Sequence, residues 1–303
     1  MSDTHAFPLP SAAHAQRNAL LILLAGALSI AFAPIFVRLA DVGPVSIAFW
    51  RMALSAPLLA LWMAMEPKGK GRSRPPSSPR DFARLILAGL CLAGDLVIWH
   101  ISIGYTSVAN STLLANFAPL FVAPVAWFLF KERFTAKFVL GMAMALAGAM
   151  ILMGDSVRLS ADHLFGDALG LLTAVFYGGY ILSVGHLRSE FSTATIMTWS
   201  GVITAVILLP MALLSGEALL PAQWSGWAVL AGLALFSHAG GQSMIAYALA
   251  HLPASFSSVS LLLQPAGAAI LAWILLGEPL GVLQAIGAVV ILAGILLARR
   301  GSR

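Results

Sequence analysis

Charge is what this chain of 303 residues has least of: 17 lysines and arginines and 12 aspartates and glutamates amount to 10% of it, against roughly 25% in an ordinary soluble domain. So few charged groups cannot cover the outside of a soluble globule of this size. Cysteine is nearly absent as well. A single Cys91 excludes an internal disulfide and a thiolate metal cage. Also missing are H-E-x-x-H, G-x-S-G and a pair of intramembrane aspartates, since Gly94-Asp95 has no second aspartate to complete a protease arrangement. What fills the chain is apolar, 60% of its residues, with a mean hydropathy of +0.92. The fold class left is an all-α integral membrane protein. Ten spanning helices of about 20 residues each would use about 200 residues. Only short loops and tails then remain, with no room for a soluble catalytic domain.

Apolar runs of spanning length fall at residues 18–37, 44–65, 82–103, 108–130, 137–153, 164–185, 194–214, 224–250, 254–276 and 282–298. Turn or charge signals such as Asp41-Val42-Gly43-Pro44 separate them. Residues 1–16 are polar and the run after Arg17 is long enough to span, so it is expected to be retained as the first helix rather than cleaved as a signal peptide. The connector at 66–81 (EPKGKGRSRPPSSPRD) is expected to be a mobile loop, too polar and proline-rich to pack. With ten crossings, one side collects Arg17, the five basic residues of 68–80, Arg84, Lys131, Arg133, Lys137, Arg188, Arg299, Arg300 and Arg303, which is 14 in all, against Arg38 and Arg158 on the other. The positive-inside rule then puts both termini in the cytoplasm. The connector holding Asp155, Asp162 and Asp167 against one arginine suits the outside. A net charge of +5 distributed this way orients a membrane protein and does not call for nucleic acid.

The chain also repeats itself. Shifted by 146 residues, Pro119 falls on Pro265, Trp127 on Trp273, Glu132 on Glu278 and Gly141 on Gly287, with ten identities over residues 119–148. Chance in so Ala/Leu/Gly-rich a stretch gives about three or four, so the match reads as an internal repeat. Two units follow, 18–153 and 164–298. Each holds five helices, an odd number, so the two must enter the membrane in opposite senses. That is the inverted repeat on which many secondary transporters are built.

These residues resemble the drug/metabolite transporter superfamily, in its EamA-type branch of ten helices made from two five-helix repeats. The resemblance rests on Phe49-Trp50-Arg51 and on the run from Tyr105 through Ala109 and Pro119 to Glu132. That run recurs from His251 through Pro265 to Glu278. It covers about residues 20–298 and implies a secondary transporter exporting amino acids and related small metabolites. Within the family the chain is similar to the YddG-like aromatic amino-acid exporters, with multidrug efflux carriers as the alternative. The arginine expected in the second helix from this resemblance is Arg51.

Polar groups inside a bilayer are costly, and each needs a reason. His238 and Gln242 stand four apart on the eighth helix, and the repeat shift puts His100 of the third helix on the equivalent stripe. Either all three point into a cavity, with Trp99 as an aromatic wall, or each histidine bonds a nearby backbone carbonyl. The sixth helix carries Tyr177-Gly178-Gly179-Tyr180, with Thr173 on the tyrosine face. The glycine pair invites a bend or close packing, and Pro34 of the first helix is its counterpart as a weak point. Pro119 and Pro265 are matched hinges of the fourth and ninth helices. Near them Asn116 and Gln264 are expected in the cavity, while Thr112 and Ser260 more simply satisfy carbonyls freed by the prolines.

Arg51 and Asp95 are the two formal charges well inside helices. An ion pair between the second and third helices is the first expectation. The functional one makes Asp95 a proton carrier or Arg51 an anchor for a substrate carboxylate. Gly141, Gly148, Gly287 and Gly294 put small residues on one helix face, for scaffold or dimer packing. Glu132 and Glu278 are expected to organise the turns after their helices, as caps. The resulting expectation is substrate near the midplane, in a cavity lined by helices one to four and six to nine, with Trp50, Trp99, Tyr177 and Trp199 as aromatic walls. The substrate is a small molecule, no cofactor or metal is called for, and the carrier works among membrane lipids as a monomer or homodimer. A passive channel or an intramembrane enzyme is the rival class.

Overall fold

The computed structural model describes residues 12–66, 74–106, 108–154 and 163–302. The polar stretch up to residue 11, the charged segment 67–73 and the acidic connector 155–162, including Arg158, lie outside them. Among the described residues ten helices are long and apolar enough to cross a membrane. They are α1 (His14–Leu39), α2 (Pro44–Met65), α3 (Pro79–Ile103), α4 (Asn110–Leu129), α5 (Ala136–Met153), α6 (Leu164–Leu187), α7 (Thr193–Leu214), α8 (Trp224–Ala248), α9 (Ala254–Leu276) and α10 (Val282–Gly301). The only strand-like feature among the described residues is an isolated bridge between Phe134 and Ser302.

Four of these helices are interrupted. The pieces Ala12–Ala31 and Ala33–Leu39 of α1 meet at Phe32, just before Pro34. In α4 the pieces Val108–Ala115 and Ala118–Leu129 meet just before Pro119. In α9 the pieces Ala254–Ser260 and Leu263–Leu276 meet just before Pro265. Each proline lacks the N–H that would bond the carbonyl four residues back, so the helix loosens there. Proline alone is not sufficient, because Pro57 and Pro210 sit inside α2 and α7 without a break. The interruption of α8 has no proline: Leu233–Gln242 is wound as a π-helix, a widened turn often found at functional sites. Here Gly241 meets Gly26 of α1, whose added methyl would lie 2.8 Å from the Gly241 carbonyl oxygen. By contrast α6 runs unbroken through Gly178-Gly179. Those glycines serve close packing, against Val122 and Cys91 respectively, rather than a bend.

The main helix pairings follow one rule. α3 packs on α6 and α7, and α8 packs on α1 and α2; α4 packs on α6, and α9 on α1; α2 packs on α7, α4 on α9 and α5 on α10. Adding five to each helix number, and returning to one after ten, reproduces the same set. The α5–α10 seam is the tightest. A methyl on Gly287 would sit 2.5 Å from the Leu152 backbone nitrogen, and one on Gly294 2.5 Å from that of Ala145. The glycine faces expected from sequence therefore meet each other within one chain. Exposed Trp127, Phe128, Trp273 and Ile274 cover the outer surface with apolar groups, as a lipid-facing wall requires.

Polar contacts gather at the two ends of the bundle. At one end Glu132 accepts hydrogen bonds from the backbone N–H of Ala254 (2.7 Å) and Ser255 (3.1 Å) and from the Ser255 hydroxyl. There too Thr135 donates its backbone N–H to the Gly301 carbonyl (2.9 Å). The expected loose connector is partly tied down at this end. Arg74 bonds Asp81 (2.6 Å) and Glu190 (2.6 Å) and lies 4.7 Å from the centre of the Phe191 ring. Ser78 caps α3 in a reciprocal capping box with Asp81. Polarity and proline content did not prevent packing, because the arginine found two carboxylates and an aromatic face. The arginines hold the Glu190 carboxyl below the usual glutamate range, Arg74 foremost. At the other end Glu217 accepts from the N–H of Val45 (3.0 Å) and Ser46 (3.2 Å), and Asp41 from that of Ala222 (3.0 Å). Arg38 there pairs with Glu278.

Candidate functional site

Every interrupted helix borders the same cavity, of about 670 Å³. Its mouth carries Arg38, Pro44, Glu278 and Gln284, at the end of the bundle where Glu217 and Asp41 sit. Its floor is formed by Met52, Leu92, Tyr177 and Gln242. Below the floor lie buried Ile181, Val184, Leu187 and Phe191, so the cavity is sealed toward the end bearing Arg188 and Glu132. The lining comes from α1–α6 and α8–α10, with none from α7. This differs from the expected set, because α5 and α10 reach the mouth through Leu152, Met153 and Gln284 while α7 stands behind α2 and α3.

Eight of the residues singled out for binding or coupling line this space: Arg51, Asp95, Trp99, His100, Asn116, Tyr177, Gln242 and Gln264; so do Pro34 and Pro265. Trp50 does not. One residue along a helix is a turn of roughly 100°, so Trp50 faces away from Arg51. Its indole N–H donates to the Leu219 carbonyl (2.7 Å), and its ring meets Trp227 at 4.8 Å. Trp199, on the absent α7, packs instead on Phe82 (5.2 Å). Tyr180 lies buried beneath the floor, its hydroxyl directed at the Met197 sulfur (3.5 Å). His238 is fully buried below the cavity on the π-helical segment, and neither ring nitrogen has a protein partner among the described residues. Pro119 is buried at the α4 break and Gly178 and Gly179 are buried or half-buried in α6, none of the three lining the cavity.

The backbone-satisfying alternative holds for part of the set. His100 bonds the Leu96 carbonyl through Nδ1 (2.5 Å) while also lining the cavity. Asn116 donates its amide to the Thr112 carbonyl (2.8 Å), which also accepts the Asn116 backbone N–H (3.2 Å). Ser260 and Thr173 donate to the carbonyls four residues back, of Phe256 (3.0 Å) and Leu169 (3.1 Å). Gln264 lines the cavity with Tyr177, and its amide nitrogen is left without a partner among the described residues.

The expected ion pair between Arg51 and Asp95 is not formed. Both residues line the cavity, yet no guanidinium nitrogen lies within 4.0 Å of a carboxylate oxygen. Arg51 Nε is buried without a hydrogen-bond partner among the described residues. The two charges feel each other across the space without closing it. Adjacent helices carrying opposite charges made a pair the natural expectation; the splay of α2 and α3 around the cavity keeps them apart.

Sequence reasoning did not place Gln284 in the cavity, nor Glu278 at its mouth, where it pairs with Arg38 rather than capping a helix. Both Arg38 and Glu278 fall on the same side by helix count, which was the available signal. Glu132 does cap a helix, but that of α9 in the other half of the chain.

Known proteins extend this picture. A solved crystal structure superposes with a TM-score of 0.79 at 17% identity, over 93% of this chain and 97% of that one, a likeness that speaks for the fold alone. An uncharacterized transporter of Archaeoglobus fulgidus is 26% identical over 87% of this chain and 91% of its own. A probable terminal-alkyne amino-acid exporter of Streptantibioticus cattleyicolor is 28% identical over 92% of each chain. The threonine/homoserine exporter RhtA of Escherichia coli K12 is 32% identical over 68% of each. The EamA-like transporter family matches twice in tandem, at residues 17–154 and 164–300. This multi-pass membrane protein therefore belongs to the EamA-like transporter family.

Proposed function

We propose that the protein exports neutral amino acids, aromatic ones included, and related small metabolites by alternating access of two inverted halves. The observation that carries this reading is the cavity itself: sealed at one end, open at the other, and holding an unpaired cation and an unpaired anion beside Trp99 and Tyr177. Two such charges with apolar walls suit a molecule that is itself zwitterionic and has an apolar side chain. The named relatives that export amino acids support the same substrate class. That the main helix pairings are unchanged when five is added to each helix number supports an inverted repeat of 18–153 and 164–298. A cavity sealed at one end supports a carrier over a channel.

In this reading the end bearing Lys131, Arg133 and Arg299 is cytoplasmic, in a bacterial inner membrane, and the cavity is open to the outside. Arg51, Asp95, Asn116, Gln242 and Gln264 bind the substrate's polar groups, and Trp99, His100 and Tyr177 enclose it. The loosened points at Pro34 and Pro265 absorb the change between states. Counterflow in proteoliposomes tests it. Vesicles preloaded with phenylalanine or threonine should accumulate the labelled form several-fold above empty ones. Failure of every neutral amino acid, with exchange of a lipophilic cation such as ethidium, overturns the substrate assignment in favour of drug efflux. Single-channel conductance in planar bilayers overturns the carrier.

A further inference from the structure

Arg51 and Asp95 raise a question that export of amino acids in general does not answer: why two opposite charges on neighbouring helices fail to meet. Charges in a membrane interior persist where each has a partner or water. Here each faces the cavity, Arg51 with its Nε unsatisfied, and the gap between them exceeds 4.0 Å. A direct pair would satisfy both and leave a substrate nothing to bind. Held apart, they present a donor face and an acceptor face to one enclosed volume, with zero net charge between them.

Resting on the reading above, we infer that Arg51 and Asp95 form a clamp for the α-carboxylate and α-ammonium of a free amino acid, and that the clamp selects zwitterions over singly charged analogues. The two terminal nitrogens of a guanidinium lie in one plane and grip a carboxylate through two parallel hydrogen bonds. The ammonium, one carbon away, turns to Asp95. Gln264 is the third member: it lines the cavity with Tyr177, and its amide nitrogen has no partner among the described residues. The side chain of the bound amino acid is left to Trp99, Tyr177, Met52 and Leu92, which place no further formal charge on it.

Selection follows from what each analogue leaves unpaired. An amino-acid amide has the ammonium but not the carboxylate and strands Arg51; an N-acetyl amino acid keeps the carboxylate and strands Asp95. A site whose buried polar groups are left unmet rejects such a ligand far more strongly than one that merely loses apolar contact. The clamp thus separates a free amino acid from lipophilic cations and from organic acids with the same two residues.

The test is competition against labelled phenylalanine, and in parallel labelled threonine, in counterflow at about pH 7, where the amines are still mostly protonated. In the wild type the free amino acid should compete at least about tenfold better than its amide or its N-acetyl form. Arg51→Gln should lose the preference over the amide and keep the preference over the N-acetyl form. Asp95→Asn should do the reverse. Wild-type counterflow in which the three forms compete equally overturns the clamp and leaves amino-acid export standing, and it needs no variant to fold. Folded variants that both keep both preferences overturn it as well. Absence of any amino-acid counterflow overturns the export reading and the clamp together.

Discussion

Glu190 is gripped by two arginines, Arg74 at 2.6 Å and Arg84 at 2.7 Å, just outside the membrane span of α6. The cations favour its charged form, so its pKa in the folded protein lies below the usual 4.5. A depressed carboxylate contributes stability that is complete above the unfolded value and is lost as pH falls through the folded one. Wild type and Glu190→Gln should therefore differ in thermal unfolding at neutral pH and converge once pH has fallen through the folded value, when both carry a neutral group. A gap that persists at low pH would show that packing, not charge, is what the substitution removes. The size of the gap stays small, because all three side chains are partly exposed and salt screens them. Residues of this kind mark how far sequence reaches. That Arg74 would fall at the same end of the bundle as Lys131 and Arg188 was legible from helix count, but its partner Glu190 was not, since it lies more than a hundred positions away. Arg51 and Asp95 were legible as the charges needing a reason, while their separation depends on helix splay, which no spacing encodes. Trp50 and Trp199 were drawn into the candidate cavity by residue type alone. Periodicity shows which residues share a face but not which face of a fully apolar helix looks inward.

At the scale of the helix, existence and approximate ends were written in hydropathy, since all ten expected runs correspond to helices. Interruptions were legible only in part. Pro34, Pro119 and Pro265 stand at real breaks, yet Pro57 and Pro210 have the same local chemistry in unbroken helices. The π-helical turn of α8 has no proline and comes from the close approach of Gly241 to Gly26, a tertiary cause. Glycine shows the same divide between composition and context. Gly287 of α10 faces the backbone of α5, where a methyl would lie 2.5 Å from the Leu152 nitrogen, and backbone cannot give way as a side-chain tip can. Gly185 of α6 has only the Ala254 methyl within 4 Å, at 3.9 Å. Gly287→Ala should thus lose about 1–3 kcal/mol by overpacking. Gly185→Ala should be neutral or gain up to about 1 kcal/mol from helix propensity. Thermal unfolding of the two variants in one detergent makes the comparison, and equal effects would mean that the α5–α10 seam is not tight.

The two ends of the whole molecule differ in a way that a repeat alone cannot produce. Glu132 and Glu278 coincide under the 146-residue shift, and identical surroundings would give them identical partners. Instead Glu132 reaches from the end of α4 to the first N–H groups of α9, at the sealed end, while Glu278 stands at the open mouth against Arg38. A carboxylate on the N-terminus of a helix is stabilised by unpaired N–H groups and the helix dipole. Here it also ties the two halves of the chain together. In an alternating-access cycle that tie must break for the sealed end to open. Weakening it should therefore raise the population open at that end. In a Cys91→Ser background, a cysteine placed at Ser258, buried near the start of α9, reports opening by its reaction with a maleimide. Adding Glu132→Ala should raise that reaction about tenfold, since each 1.4 kcal/mol of lost contact is a factor of ten and charge-assisted hydrogen bonds are worth about that much or more. Glu132→Gln, which retains one acceptor oxygen, should fall between. Unchanged labelling in a Glu132→Ala protein that still elutes as a folded species would mean that apolar packing alone, around Phe191 and Leu187, seals the end. The charged tie would then be a cap and nothing more.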